Sequence, residues 1–489
     1  MVAMARIVVV GAGVAGLAVA LTAGRTGHEV VLVERDDTPL PSDAHGAFDW
    51  DRRGAPQVRH SHAFLARLHN LLRDRYPDVL EALFDAGATP MNFIEMLPAT
   101  MDHSPMAGDE DLVALACRRT TFEWVLRHEV LANPSVQLVH GTGVAALEVD
   151  AGDHAHGDVP RVTGAILEDG STVAGDLVVV CGGRRSDVPA LLVPHGITVP
   201  EVVEDTGIVY FSRFFALRDG AELPPQVGPV GGDLEYLKFG VFQGDNRTFS
   251  ITLAARTDDA ELRRHLLDPD AFLAAAASIP ATAAHVESTR SEPITDVHVM
   301  ARLLNRRRWF LDDGNPLVLG LHAVGDAHTC TNPLYGRGCS LAVVQAQLLT
   351  DALAEHGLDH HARALAFETA TEREITPWYR AAVAQDRMTR RDTTRRDRDD
   401  DGDDAASEDP REMTRRVLRD GLVPALRTDP VVLRAFLRMF NLLQPPDSLL
   451  SDGDVLTRVM AVYADRGSRP AEPSPGPGRD ELLATLSAA

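Results

Sequence analysis

Residues 7–10 are four apolar positions with no polar alternation, the pattern of a strand buried on both faces. The run breaks into Gly11-Ala12-Gly13-Val14-Ala15-Gly16, and apolar residues then recur at Leu17, Val19, Ala20 and Leu21, which predicts a helix. A second unbroken apolar run, 30–33, ends in Glu34. Residues 136–139, 146–149, 162–166 and 177–180 read as further strands, with the Asp169-Gly170 turn between two of them. From residue 208 aromatic and β-branched residues dominate 208–217, 234–242 and 248–253, so a second sheet is expected there, interrupted by one helix over about 258–278. Residues 316–321 predict a buried strand returning to the first sheet, followed by a helix over 339–356. Helical periodicity then continues over 360–390, 410–420, 429–443 and 452–465.

These alternations divide the chain into four parts: 1–186, a sheet-rich 187–312, a return segment 313–357, and a helical 358–489. The last part contains a charged loop at 386–412, with an acidic centre at 399–404, and a flexible proline-rich tail from 470 to 477. With 489 residues there is ample length for two cores. A formal net charge of −23 argues against nucleic acid or an anionic membrane surface as a partner. The four cysteines, Cys117, Cys181, Cys330 and Cys339, form neither a disulfide framework nor a metal-ligand pattern. No metal site is expected. The apolar stretch near the start resembles a secretory leader, but its glycines fall at dinucleotide-binding positions. No other uncharged stretch reaches membrane-spanning length. A soluble, cytoplasmic chain is expected.

Strand, glycines, helix, strand and acid in that order have a physical reading. Gly11 permits a tight turn, Gly13 lets backbone approach a pyrophosphate, and Gly16 lets helix and strand pack closely. The helix N-terminus favours phosphate, and Glu34 is placed to accept from a ribose hydroxyl. Far along the chain, Gly325-Asp326 ends another strand, and Pro333 through Gly336 and Gly338 open the 339–356 helix. Backbone amides there can lie against a flavin ring, and Asp326 can bind ribityl hydroxyls.

This ordered set resembles the single-FAD-domain flavoprotein monooxygenases of the glutathione-reductase-like superfamily, which includes p-hydroxybenzoate hydroxylase and squalene epoxidase. The matching pieces are Gly11–Gly16 with Glu34, Arg119-Thr-Thr-Phe-Glu123, the segment Asp176–Ser186, and Gly325-Asp326 through Gly338. The loop from Arg53 to His62 looks like that of polyether-epoxidase-type enzymes, the nearest branch. The resemblance implies an α/β fold, with a Rossmann-like FAD domain, an inserted α+β substrate domain and a helical C-terminal region. It implies FAD contacts from Gly11, Ala12, Gly13, Val14, Ala15, Gly16, Glu34, Arg35, Arg119, Val144, Gly325, Asp326, Pro333, Gly336 and Gly338. One departure concerns the middle motif: Gly182-Gly183 stands where aromatic hydroxylases carry Asp-Gly, and Pro189 replaces a terminal arginine. The source of electrons therefore stays open between direct NAD(P)H and a separate flavin reductase.

The implied activity is monooxygenation, hydroxylating or epoxidising an apolar aromatic, polyketide or isoprenoid-like molecule with dioxygen through a C4a-hydroperoxyflavin. Two alternatives stand beside it: a double-bond dehydrogenase or reductase of the geranylgeranyl-reductase-like type, and a non-redox FAD-binding cyclase or scaffold. Flavin halogenation is disfavoured, since no two tryptophans form a Trp-x-Trp pair and Lys238 is the sole lysine. No catalytic base stands out. His60, with neighbours Arg59 and His62, and Arg213 are weak candidates, against a reading as ordinary polar residues. Tyr210, Phe214, Tyr236 and Phe239, with Phe242 of the same sheet, are candidates for walling the substrate pocket, or are simply core.

Overall fold

The computed structural model describes residues 4–98, 100–150, 159–224, 231–396, 410–469 and 474–488. Its centre is a five-stranded parallel sheet in the order Leu321–Ala323, Leu177–Val180, Arg6–Val10, Glu29–Glu34, Val136–His140. The opening strand is buried on both faces, as its unbroken apolar run requires. Ile7 and Val9 pack against the helices Val14–Arg25, Arg119–Leu131 and Gly338–His356. Val8 turns to the opposite face, where the antiparallel strands Val144–Asp150 and Arg161–Leu167 supply Leu147, Val162 and Ala165.

The second sheet has six antiparallel strands, with Ile208–Leu217 paired to Thr248–Arg256, which pairs in turn to Leu237–Gln243. Alternation along Ile208–Leu217 sends Val209, Phe211 and Phe215 into a core with Phe249, Ile251, Leu253 and Phe272. Side chains at 210, 212 and 214 face the other way.

Several boundaries differ from the sequence reading, each for a local reason. The 234–242 strand begins at Leu237, because Glu235 adopts φ +74° in the preceding turn. The 316–321 strand begins at Leu321. Gly320 has φ +71°, and a Cβ there would sit 2.3 Å from the Val162 carbonyl oxygen. The single helix over 258–278 is two, Ala260–His265 and Pro269–Ser278. Asp268 caps the second by accepting from the Asp270 and Ala271 amides, and proline follows it.

The C-terminal part is helical, and two expectations about it change. The helix Thr376–Arg396 carries Asp386, which is buried, so residue 386 belongs to no charged loop. The acidic centre 399–404 lies outside the described residues, as do residues 470–473 of the tail. Past the tail, the helix Arg479–Ala488 inserts Leu482, Leu483 and Leu486 into the second sheet's core. Among the described residues, no helix is long and apolar enough to cross a membrane. No group of three or more metal-ligating side chains occurs among them either.

Candidate active site

The opening glycines do what their positions demand. Gly11 has φ +100°, and a Cβ there would lie 2.9 Å from the Cys181 carbonyl oxygen. A Cβ on Gly16 would meet the Gly11 carbonyl oxygen at 1.7 Å, so only glycine lets this helix start against its own turn. Gly13 is different. Its backbone is extended, and a Cβ there meets nothing within 4 Å. Its glycine serves space for something outside the chain.

That space is a groove. Gly13, Val14 and Ala15 line it with Arg119, Gly182, Gly183, Asp326, Pro333, Gly336 and Gly338. Residues three hundred positions apart thus form one wall-to-wall site. Gly183 has φ +68°, and Cβ atoms added at Gly183 or Gly338 would meet open space. The amino end of the Gly338–His356 helix carries no side-chain cap, leaving its first amides available.

Asp326 is the groove's carboxylate. Burial raises its pKa, opposed by Arg119, Arg184 and Arg306. Arg306 donates to the carbonyls of Arg184 (2.9 Å) and Asp326 (3.0 Å), tying the two segments together. Arg119 is buried, donating to Glu123 at 3.1 Å and approaching the Cys339 sulfur at 3.1 Å. Cys339 and Cys330 are both free.

Glu34 stands at the carboxyl end of its strand, in register with His140. One carboxylate oxygen accepts from the Ala12 amide at 2.8 Å and the other from the Asp36 amide at 2.9 Å. Neither Glu34, exposed Arg35 nor half-buried Val144 lines the groove. Sequence reasoning missed Arg52. Its buried guanidinium binds Glu123 and Asp36 at 2.8 and 2.9 Å and the Ala12 carbonyl at 3.1 Å, with Glu34 at 3.5 Å. It is shared by three carboxylates from two segments of chain, Glu34 and Asp36 at the end of the second strand and Glu123 on the helix Arg119–Leu131, where Arg119 also pairs with Glu123. A doubled Arg before glycine was the only signal in the chain, and it is weak.

The two histidines are held differently. His62 lines the groove, with Nδ1 2.9 Å from the His60 carbonyl, which requires Nδ1 to donate. Its Nε2 lies 3.4 Å from Arg119. His60 sits behind, Nδ1 3.1 Å from the Ser212 hydroxyl. Burial brings both pKa values down to about 3, with Arg119 adding to the effect on His62 and His298 on His60. At neutral pH neither is an imidazolium acid.

Arg213 does not reach the groove. It donates to the carbonyls of Thr295 and Pro269, a loop-fastening role. Four of the five pocket-wall candidates scatter. Tyr210 donates to Asn332 at the start of the 332–336 segment, Phe214 packs edge-on to Phe48, and Phe239 is core. Tyr236 lies in the turn before the strand and donates to the Pro477 carbonyl.

A separate, mostly apolar cavity of about 240 Å³ abuts the groove. Met91, Phe93, Leu115, Phe242 and Phe440 are among its walls, and His62, Ala63 and Gly336 belong to both spaces. Its walls come from eight stretches of chain, and no periodicity links them. Only Phe242 among them figured in the aromatic sheet pattern.

Pro333 and Gly336 of the segment 332–336 line the groove. Asp386 accepts from Asn332 (2.9 Å) and Tyr335 (2.9 Å) in this segment and from Asn305 (2.7 Å). The C-terminal helix thereby fastens the late glycine loop.

Comparison with known proteins agrees with this geometry. The family model for pyridine nucleotide-disulphide oxidoreductases matches residues 6–47, the opening strand–helix–strand. No curated protein matches the chain. Among solved structures, p-nitrophenol 4-monooxygenase PnpA from Pseudomonas putida DLL-E4 shares 16% identity at TM-score 0.59, covering 90% of this chain and 98% of its own. The flavin-dependent brominase Bmp2 shares 14% at TM-score 0.58, covering 95% and 99%. The Diels-Alderase PyrE3 shares 18% at TM-score 0.55, covering 89% and 80%. The chain therefore has the fold of the FAD-dependent monooxygenases. That one scaffold serves a hydroxylating, a brominating and a ring-forming protein, so the fold by itself does not choose the chemistry.

Proposed function

We propose that the protein is an FAD-dependent monooxygenase acting on a small apolar molecule. The observation that carries this reading is the contiguity of groove and cavity along His62, Ala63 and Gly336. The residues fit the cofactor: open space at Gly13, uncapped amides at Gly338 and a carboxylate at Asp326 stand along one groove. Gly11, Ala12, Gly13, Val14, Ala15 and Gly16 would hold the pyrophosphate, with Arg119 nearby. Glu34, Arg35 and Val144 would hold the adenosine half, and Gly325, Asp326, Pro333, Gly336 and Gly338 the ribityl and ring. When bound, reduced flavin supplies activation of dioxygen and transfer of one oxygen atom.

The chain's own part is orientation and exclusion of water. The cavity walls are mostly apolar, and neutral His62 offers no acidic proton to the boundary between the two spaces. The sole lysine is ion-paired to Asp233 and does not line the groove, which does not favour the lysine-dependent halogenation route. Electrons would come from NAD(P)H, directly or through a flavin reductase.

The test uses purified protein loaded with FAD, reduced, and exposed to labelled dioxygen in the presence of neutral phenols and alkenes. One labelled oxygen atom in the product supports the proposal. Reduction of a double bond without oxygen points to the reductase reading. Turnover by the oxidised holoenzyme with no electron source supports the cyclase reading, a chemistry named for the Diels-Alderase of the same fold.

A further inference from the structure

We propose that the cavity beside the flavin groove admits only electrically neutral molecules, about two fused rings in size, with a hydroxyl or carbonyl that meets His285 and Gln243. Carboxylates are turned away. This rests on the reading of the cavity as the substrate chamber.

Among the described residues, no Asp, Glu, Lys or Arg side chain lines the cavity. The titratable groups facing it are His62, His285 and Tyr335. Burial lowers the pKa of both histidines and raises that of Tyr335, so all three are uncharged at neutral pH. Charged groups stand behind these walls, Arg290 near His285 and Arg337 and Asp386 on either side of Tyr335. Arg337 stacks on the Tyr335 ring at 4.9 Å, while Asp386 accepts from the hydroxyl of the same phenol. Arg119, beyond His62, is paired with Glu123. An anion entering this space would lose its hydration and meet no counter-ion among the described lining residues.

The polar capacity of the cavity is small and lies against Phe249. Gln243 is in register with Phe249 across the sheet, and the His285 ring meets the Phe249 ring edge-on at 5.7 Å. His285 Nδ1 is buried with no hydrogen-bond partner among the described residues. Gln243 and the His285 ring are the polar side chains at that end of the cavity, and one neutral polar group on a ligand can meet them. The volume of about 240 Å³ lies just below the usual range for drug-sized ligands, which sets the size class.

The test is equilibrium dialysis of FAD-loaded protein at pH 7.5 with 2-naphthol and 2-naphthoate, two probes of one shape that differ in charge. The expected result is naphthol binding at least ~100-fold more tightly, the scale of an unpaired buried charge. Gln243→Arg, or His285→Arg if the first does not fold, should raise naphthoate affinity at least tenfold by supplying the counter-ion. Equal or reversed affinities for the unmodified protein overturn the charge rule while leaving the chamber in place. Phe242→Trp, which fills the cavity, should abolish naphthol binding. Unchanged naphthol binding in that variant, or no binding of either probe to the parent protein, overturns the chamber reading and this proposal with it.

Discussion

Asp386→Ala tests whether the C-terminal helix holds the late glycine loop in working shape. The change removes the acceptor for Asn305, Asn332 and Tyr335, all buried, at 2.7–2.9 Å. Each orphaned donor costs about 1–3 kcal/mol. Against this, burial raises the Asp386 pKa, so deleting the carboxylate relieves desolvation of a few kcal/mol. The net loss is about 3 kcal/mol. Pro333 and Gly336, within the fastened segment, line the groove, so part of that loss should appear as weaker cofactor binding. The expected rise in FAD Kd is roughly 10- to 100-fold. Asp386→Asn keeps an acceptor oxygen and should lose about 1–2 kcal/mol. The assay is flavin fluorescence quenching on titrating apoprotein, with the urea midpoint measured in parallel, since a multidomain chain gives no single unfolding free energy. An alanine variant that unfolds earlier yet binds FAD within twofold of the parent would refute the coupling: the carboxylate would then steady helix packing alone. An unmoved midpoint and unmoved Kd together would refute the hydrogen-bond hub.

The two glycines of the opening turn should separate folding from binding. Gly13→Leu should leave the apoprotein's melting temperature nearly unchanged, because its side chain enters open space, while FAD binding is lost. Gly16→Ala should damage the apoprotein itself, because its Cβ meets the Gly11 carbonyl at 1.7 Å; differential scanning fluorimetry reads both. Arg52→Ala leaves Glu34, Asp36 and Glu123 without their shared cation and should destabilise the apoprotein by about 3–5 kcal/mol, seen as a lower urea midpoint. Acid should also weaken the fold through His60 and His62. Their folded pKa values of about 3 lie below the unfolded value, so the unfolded chain binds the extra protons. This contribution is present above pH 6.5 and lost as pH falls toward 3, amounting at pH 5 to about 2 kcal/mol per histidine. Urea midpoints at pH 7.5 and 5 should differ less in a His60→Gln, His62→Gln double variant, and an equal difference would sink the assignment.

The first 34 residues could be read without any fold, because each constraint there is local. A strand buried on both faces must be apolar throughout, and a helix starting against its own turn leaves Gly16 no room for a Cβ. The late Gly325-Asp326 segment was legible for a related reason, since a strand ending in glycine and acid before a helix has few alternatives. Short-range pattern also misled. Asp386 sits in a highly charged stretch and reads as solvated, yet its three partners are 51 to 81 residues away and bury it. Arg52 has an ordinary context in the chain and becomes a keystone only where a strand end and a distant helix bring three acids to it. The aromatic strand residues looked like pocket walls because alternation tells which side chains share a face, not what stands opposite that face. Tertiary structure gave Phe239 to the core and placed Phe242, Phe93 and Phe440 around one empty space. Periodicity within a chain specifies an element and its buried side; a cavity is defined by what several elements leave unfilled, and that only packing decides.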